Sequence, residues 1–226
     1  MPKPATAWKI LAMSSARTAK VVAAIWLALA GCKVKDPPPI EGKWIDDFER
    51  DDAGSNYYET GGGFRVADGA LNARGAHNKP LWLRKKLPRD VQIELTAWSN
   101  SSDGDIKVEV FGDGRSYDPD GNRYMATGYV FIMGGWHNAK SIIARMDEHG
   151  EVGKDIVERT QPRVEPGKRY RWKITRRGKL IEWTVDGQPF LRFDDPQPLT
   201  GAGHEYFCFN NWESDSWFDD LVITPL

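Results

Sequence analysis

Strict alternation of apolar and polar residues is the feature that most narrows what this chain can fold into. In VQIELTAW, residues 91–98, Val91, Ile93, Leu95 and Ala97 share one face, while Gln92, Glu94, Thr96 and Trp98 share the other. DIKVEV repeats the scheme, with Ile106, Val108 and Val110 opposite Asp105, Lys107 and Glu109. A period of two belongs to a strand, because successive side chains point to opposite sides of the pleat. From Trp44 onward Gly, Asp, Asn and Pro punctuate the chain about every eight to twelve residues, as turns between short strands do. Further strands are expected near residues 64–66, 81–85, 129–133, 142–147, 170–175, 181–185, 190–193, 206–210 and 218–223, with no long helix.

Two hairpins can be placed within this series. RRGK and VDGQ supply residues that accept the positive φ of tight turns, and they make a meander of residues 170–193. That many antiparallel strands are too wide for one open sheet, so two face-packed antiparallel sheets with a common core are expected. The fold class is all-β.

The first 31 residues stand apart. Lys3, Lys9, Arg17 and Lys20 precede an apolar run at 21–30, and no acidic residue occurs before Cys32. A helix of that length rises only about 15 Å, roughly half of a bilayer's hydrocarbon core, so the run reads as the apolar region of a secretory leader. Leu29-Ala30-Gly31-Cys32 resembles the lipobox of bacterial lipoprotein signal peptides, which implies that the Cys32 thiol is acylated and becomes the mature N-terminus. The alternative is an ordinary secretory signal with an incidental cysteine. A bridge from Cys32 to Cys208 would tie the leader-proximal segment to a core strand, and Cys208, inside YFCFN, reads instead as a small buried hydrophobe.

After Cys32 the chain continues KVKDPPPIEG, where three consecutive prolines favour an extended stalk of about 3 Å per residue. By resemblance to lipoproteins sorted in Gram-negative cells, Lys33 after the cysteine implies the outer membrane of a bacterial cell envelope. The organisation expected is therefore a leader over 1–31, a lipidated linker over 32–43 and a β domain over 44–226. With four basic residues removed in the leader, the remainder carries 27 basic against 32 acidic residues, a net charge of −5. That balance gives no general attraction to nucleic acid.

DDFERDD near the start, KITRRGKLIEWTVDGQPFLRFDDPQPL, and the final GHEYFCFNNWESDSWFDDLVITPL resemble the concanavalin A-like lectin/glucanase jelly roll. More narrowly, they are similar to secreted bacterial domains near the 3-keto-disaccharide hydrolase type. The resemblance covers most of 44–226 and implies that the last strand, 218–223, returns beside the first, 44–48.

It carries no catalytic signature. Glucanases of that superfamily use Glu-x-Asp-x-x-Glu or Glu-x-Asp-x-Glu on a strand, with carboxyls about 5–5.5 Å apart in a retaining mechanism. Neither pattern occurs. In DIKVE, Asp105 and Glu109 are separated by about 13 Å along the strand, too far to form that pair. A carboxylate from a neighbouring strand, such as Glu94 or Asp147, could complete a site with Glu109; solvated charges on an outward face are the plain alternative. SSDGD and DPDGN concentrate oxygen ligands and could hold calcium, although turn chemistry alone accounts for them. No cofactor is otherwise implied, and the four scattered histidines have no zinc spacing.

Aromatic residues are more informative. Of the ten tryptophans eight follow Cys32, and Trp172 and Trp183 alternate in phase with apolar neighbours, as core residues do. Trp82 and Trp98 fall on polar faces of their strands, Trp136 sits in MGGWHNAK beside His137 and Asn138, and Trp212 follows Asn210 and Asn211. A flat aromatic flanked by amides and charges suits the apolar face and hydroxyl rim of a sugar ring. Trp82, Trp98, Trp136, His137, Asn138, Asn211 and Trp212 are thus candidate ligand contacts. Two functions stay open: an envelope lipoprotein that binds a glycan, or a glycan-processing hydrolase or lyase drawing on Glu94, Lys107, Glu109, Arg145 and Asp147.

Overall fold

Two sheets face each other across one apolar core, and the residues that alternate in the sequence are those that fill it. The structure, a computed structural model, describes residues 36–117 and 125–226. Cys32, the leader and the DPDGN loop fall outside the described residues.

The first strands are β1 (Trp44–Asp46), β2 (Tyr57–Glu59), β3 (Arg65–Ala67), β4 (Ala70–Asn72) and β5 (Leu81–Leu83). The central ones are β6 (Val91–Ser99), β7 (Ile106–Gly112), β8 (Tyr129–Gly134), β9 (Lys140–Arg145) and β10 (Ile156–Arg159). The last are β11 (Tyr170–Arg177), β12 (Leu180–Val185), β13 (Gln188–Asp194), β14 (Tyr206–Asn210) and β15 (Ser216–Pro225). Among the described residues, one sheet has the order β13-β12-β11-β6-β15-β4-β3, with β1 also pairing β15; the other runs β10-β9-β8-β7-β14-β5-β2.

The expected hairpins are present. Arg177 pairs with Leu180 across the first turn and Val185 with Gln188 across the second, with Asp186 and Gly187 both at positive φ. The last strand returns to the first, Trp44 opposite Ile223 and Asp46 opposite Leu221. A bulge between Asp219 and Val222 divides the edge of β15, so that β4 pairs with its beginning and β1 with its end.

Inside, the alternating residues of both sheets interdigitate. Trp183 lies 4.5 Å from Trp172, 4.6 Å from Phe190 and 5.6 Å from Phe131, ring centre to ring centre, while Phe209 meets Phe48, Phe207 and Phe218. Trp172 and Trp183 are core residues, as their phase in the sequence implies.

Alternation fails where both faces of a strand are covered. Tyr129–Gly134 reads YVFIMG and every residue in it is buried. Tyr129, Phe131 and Met133 face the other sheet. Val130 and Ile132 point outward, where they join Ile142, Ala144, Ile156 and Ala126 in a second apolar cluster against which Trp136 packs. A continuous apolar run in an antiparallel strand is the mark of cover on both sides. The outer face of the seven-stranded sheet is therefore not a bare solvent surface, and the candidate site lies on it.

Candidate functional site

The sheet topology builds the site by sending three loops to one end of β7. Strand β7 lies between β8 and β14 and runs antiparallel to both, so β8 and β14 end where β7 begins. The segment after β8 carries Trp136 and His137; the segment after β14 carries Trp212, Glu213 and Ser214; the segment before β7 carries Asp103 and Asp105. Because β8 and β14 are two strand spacings apart, the backbones that lead to the two indoles leave the sheet about 9–10 Å from one another, astride β7. Lys107, the second residue of β7, stands between Ile132 on β8 and Asn210 on β14 in the register.

Beyond β9 the chain turns back over the same outer face, with the Met146 amide donating to the Gly128 carbonyl. Asp147, Glu148 and His149 arrive beside Lys107, and Asn78 from the β4–β5 connection completes the enclosure. The result is a cleft of about 590 Å³ with Lys107 and Ile132 at its base and Trp136 and Trp212, both half-buried, in its walls.

Trp136 is presented by an unusual backbone. Gly134, Trp136, His137 and Asn138 all have positive φ, from 52° to 69°, which makes a short left-handed turn. For residues with a Cβ this conformation costs roughly 1–2 kcal/mol each, so neighbouring contacts must hold it. Asn138 does so: its Nδ2 donates to the carbonyls of Ser102 and Val164, and its Oδ1 accepts the Val164 amide. Gly104 lets the β7 approach lie against the turn, since a Cβ there would stand 2.6 Å from the Gly134 carbonyl oxygen. Lys140 places its ammonium 4.7 Å from the centre of the Trp136 ring and pairs with Glu158 at 2.8 Å, while the His149 ring meets the indole edge-on at 5.8 Å.

At the base, Lys107 is buried. Its Nζ lies 2.9 Å from Glu148 Oε2 and donates to Asn78 Oδ1 at 3.1 Å. Burial pulls the ammonium pKa down, but the carboxylates of Glu148 and Asp105 outweigh that and hold it above its ordinary range. Asp105 moves the other way in chemical consequence: burial pushes its carboxyl up, Lys107 draws it back, and Glu148 adds to the rise. The Asp105 side chain accepts the Trp212 amide at 3.2 Å, and its own carbonyl accepts the hydroxyls of Ser214 and Ser216, tying the two loops together. Beside Lys107, Asn210 is fully buried on the outward side of β14, and its Nδ2 has no hydrogen-bond partner among the described residues.

The structure brings together Lys107, Asp147, Trp136, His137 and Trp212 from the sequence candidates, and disperses the others. Glu94 lies on β6 in the opposite sheet and accepts Gln92 Nε2, so it cannot complete a site with Glu109. Although β6 and β7 are consecutive, the connection between them crosses from one sheet to the other. Glu109 is fully buried and its Oε1 accepts the amides of Thr127 and Gly128, which anchors the approach to β8. Arg145 pairs with Asp195 at 3.0 Å and donates to the Gln197 carbonyl.

Trp82 is wholly buried and donates to the Ser116 carbonyl. Trp98 belongs to the other sheet, stacked 5.8 Å from Trp217 with the Arg169 guanidinium 4.0 Å above it. Asn211 spends its amide on the carbonyls of Ala73 and Ser214. Asn138 is a positioning residue for the turn, with its amide directed away from the cleft.

Sequence reasoning passed over Asn78, Glu148, His149 and Glu213 as ligand contacts, and named Asp103 only within the SSDGD loop as an oxygen ligand for calcium. They sit in connections whose partners are distant in the chain, so no spacing marks them. One signal was present: the unbroken apolar runs at 129–133 and 142–144 showed that something covers the outer face of those strands.

No family model and no curated protein matches the chain. Among solved structures the chain is similar to the carbohydrate-binding module CBM66 from Bacillus subtilis, at 12% identity over 75% of this chain and 95% of that one, with a TM-score of 0.56. A Bacillus subtilis protein of unknown function with a galectin-like fold aligns at 12% identity over 80% and 94%, with a TM-score of 0.60. A β-1,3-1,4-glucanase (lichenase) from a mouse hindgut metagenome aligns at 13% identity over 81% and 99%, with a TM-score of 0.53. The shared architecture is the galectin-like, concanavalin A-like jelly roll.

Proposed function

We propose that the domain binds a carbohydrate in the cleft on the outer face of its seven-stranded sheet, and that the chain is held at a bacterial envelope through a lipid on Cys32. The observation that carries the first part is the pair of half-buried indoles, Trp136 and Trp212, astride a base of Lys107, Asn78, Asp105 and Glu148. Sugar rings stack on indoles through their C–H faces and present hydroxyls to charged and amide groups around the rim. The likeness in fold to a carbohydrate-binding module and to a glucanase supports the same reading.

The test is glycan-array screening of the full-length chain in detergent, followed by calorimetry on the best ligand. Trp136→Ala and Trp212→Ala should each weaken binding at least about tenfold, with melting shifted by no more than about 4 °C. Failure of the wild-type chain to bind any glycan, or undiminished binding by both variants, would end the proposal.

A second reading, glycan cleavage, draws on one specific feature. Asp105 lines the cleft beside the Lys107–Glu148 pair, and burial raises its carboxyl, the direction a proton-donating carboxyl requires. Release of new reducing ends from the bound glycan, abolished in Asp105→Asn while affinity persists, would favour this reading over binding alone.

For the anchor, Cys32→Ser should leave an unprocessed precursor or release the mature domain from membrane fractions. Normal processing with unchanged membrane retention would refute lipidation. Lys33 supports sorting to the outer membrane.

A further inference from the structure

Resting on the carbohydrate reading, we infer that the cleft selects sugars bearing a free, positively charged amino group over their N-acetylated and acidic counterparts. Five carboxyl side chains line it, those of Asp103, Asp105, Asp147, Glu148 and Glu213, against one lysine, two histidines (His137 and His149) and no arginine. That lysine is already engaged: Lys107 is held between Glu148 and Asn78 and faces Asp105, so its charge is met before any ligand arrives. A uronate or sulfated sugar would bring a further negative charge against this ring.

The outer carboxylates keep capacity for a ligand. Asp103 and Glu213 have side chains 58% and 65% exposed, and each lies within 4 Å of one imidazole, Asp103 at 3.5 Å from His137 and Glu213 at 3.9 Å from His77. Asp147 is exposed and accepts the His149 amide with one oxygen. Ammonium donors make their strongest hydrogen bonds to such groups.

The aromatic walls favour the same charge. An indole face attracts an ammonium through its quadrupole, and Trp136 does this within the molecule, with the Lys140 ammonium over its ring and Glu158 closing the pair. Ring, ammonium and carboxylate thus already form one set on an indole that also lines the cleft, although Lys140 and Glu158 themselves do not line it. The acidic charge also has the extent of a molecule. Among the described residues no three His, Cys, Asp or Glu side chains are grouped to hold a metal ion, and the carboxyls are instead distributed around a cavity of about 590 Å³.

The test compares matched gluco- and galacto-configured β-linked oligosaccharides in free-amine, N-acetyl and uronate forms, by calorimetry on the full-length chain. The amine form should bind at least about tenfold more tightly than its acetylated match at about 20 mM salt, the ratio shrinking at about 0.5 M as screening grows, and the uronate should bind weakest. In Asp147→Asn combined with Glu213→Gln the ratio should fall toward one. Equal affinity for amine and acetylated forms, tighter binding of a uronate, a ratio unmoved by the double variant, or equally tight binding of spermidine would each overturn the inference. If acetylated or neutral glycans bind while the amine gives no advantage, the carbohydrate reading stands and only the charge preference falls. If no glycan binds, both fall.

Discussion

Replacing Trp183 with alanine should cost about 3–5 kcal/mol of stability and lower the melting temperature by roughly 6–20 °C. The side chain has no exposure and is enclosed by Trp172, Phe190 and Phe131, contributed by both sheets. Truncation would open a cavity that neighbouring rings cannot fill without leaving their rotamers. The indole Nε1 of Trp183 is itself buried without a hydrogen-bond partner among the described residues, so Trp183→Phe removes an unsatisfied donor along with part of the ring and should cost distinctly less. Denaturant unfolding of the two variants measures this difference. A loss below about 1 kcal/mol for the alanine variant would show that the two sheets are not locked through this cluster.

The second large effect is expected at the base of the cleft. Lys107 and Glu148 have side chains only 3% and 11% exposed, and Lys107→Ala leaves the Glu148 carboxylate, with Asp105 nearby, without its cation. Removing one partner of a buried pair costs about 3–5 kcal/mol, most of it the penalty of the charge left behind. Lys107→Met combined with Glu148→Gln removes both charges and should recover most of the loss, which a double-mutant cycle would read directly.

The pair also makes a pH prediction. Burial lowers the Lys107 ammonium, but Glu148 and Asp105 raise it further, so its folded-state value lies above the unfolded one. The stabilisation is then fully present below the unfolded lysine value of about 10.4 and is lost as pH rises through the folded-state value. Stability of wild type and the double variant should converge in alkali. Single and double variants of equal stability, or a gap that widens in alkali, would contradict the pairing.

The residues around Lys107 illustrate how far local pattern reaches. The alternation in DIKVEV placed Lys107 and Glu109 on the outward side of a strand, where both are found. It carried no information on what would stand over them, because that depends on chain returning from residues 127–128 and 147–149. Glu109 consequently became a buried acceptor for the Thr127 and Gly128 amides, and Lys107 the base of a cleft. Glu94, equally outward on β6, went to the other sheet, since a connection of six residues between β6 and β7 passes across the sandwich instead of forming a hairpin.

Trp82 and Trp98 show the same limit among aromatics. Each lies on the polar side of its strand by phase, yet one is covered at Ser116 and the other by Trp217 and Arg169. Trp136 and Trp212 remained half-open because they follow the ends of parallel-running β8 and β14, where the sheet stops and only loops enclose them.

What the amino-acid sequence determined alone was therefore local: most of the strands, though not Tyr57–Glu59, Ala70–Asn72 or Ile156–Arg159, the two hairpins of residues 170–193, the two-layer class and the core placement of Trp172 and Trp183. Each follows from interactions between residues a few positions apart, the two-residue pleat and the positive φ of a tight turn. Beyond those hairpins and the return of the last strand to the first, tertiary structure alone decided which strands became neighbours, and with them the convergence of Asn78, Asp105, Lys107, Trp136, Glu148 and Trp212 on one end of β7. Strand pairing joins residues far apart in the chain through backbone hydrogen bonds that every residue offers alike, so the side-chain pattern of a single strand does not name its partner, nor the loops that its partners bring.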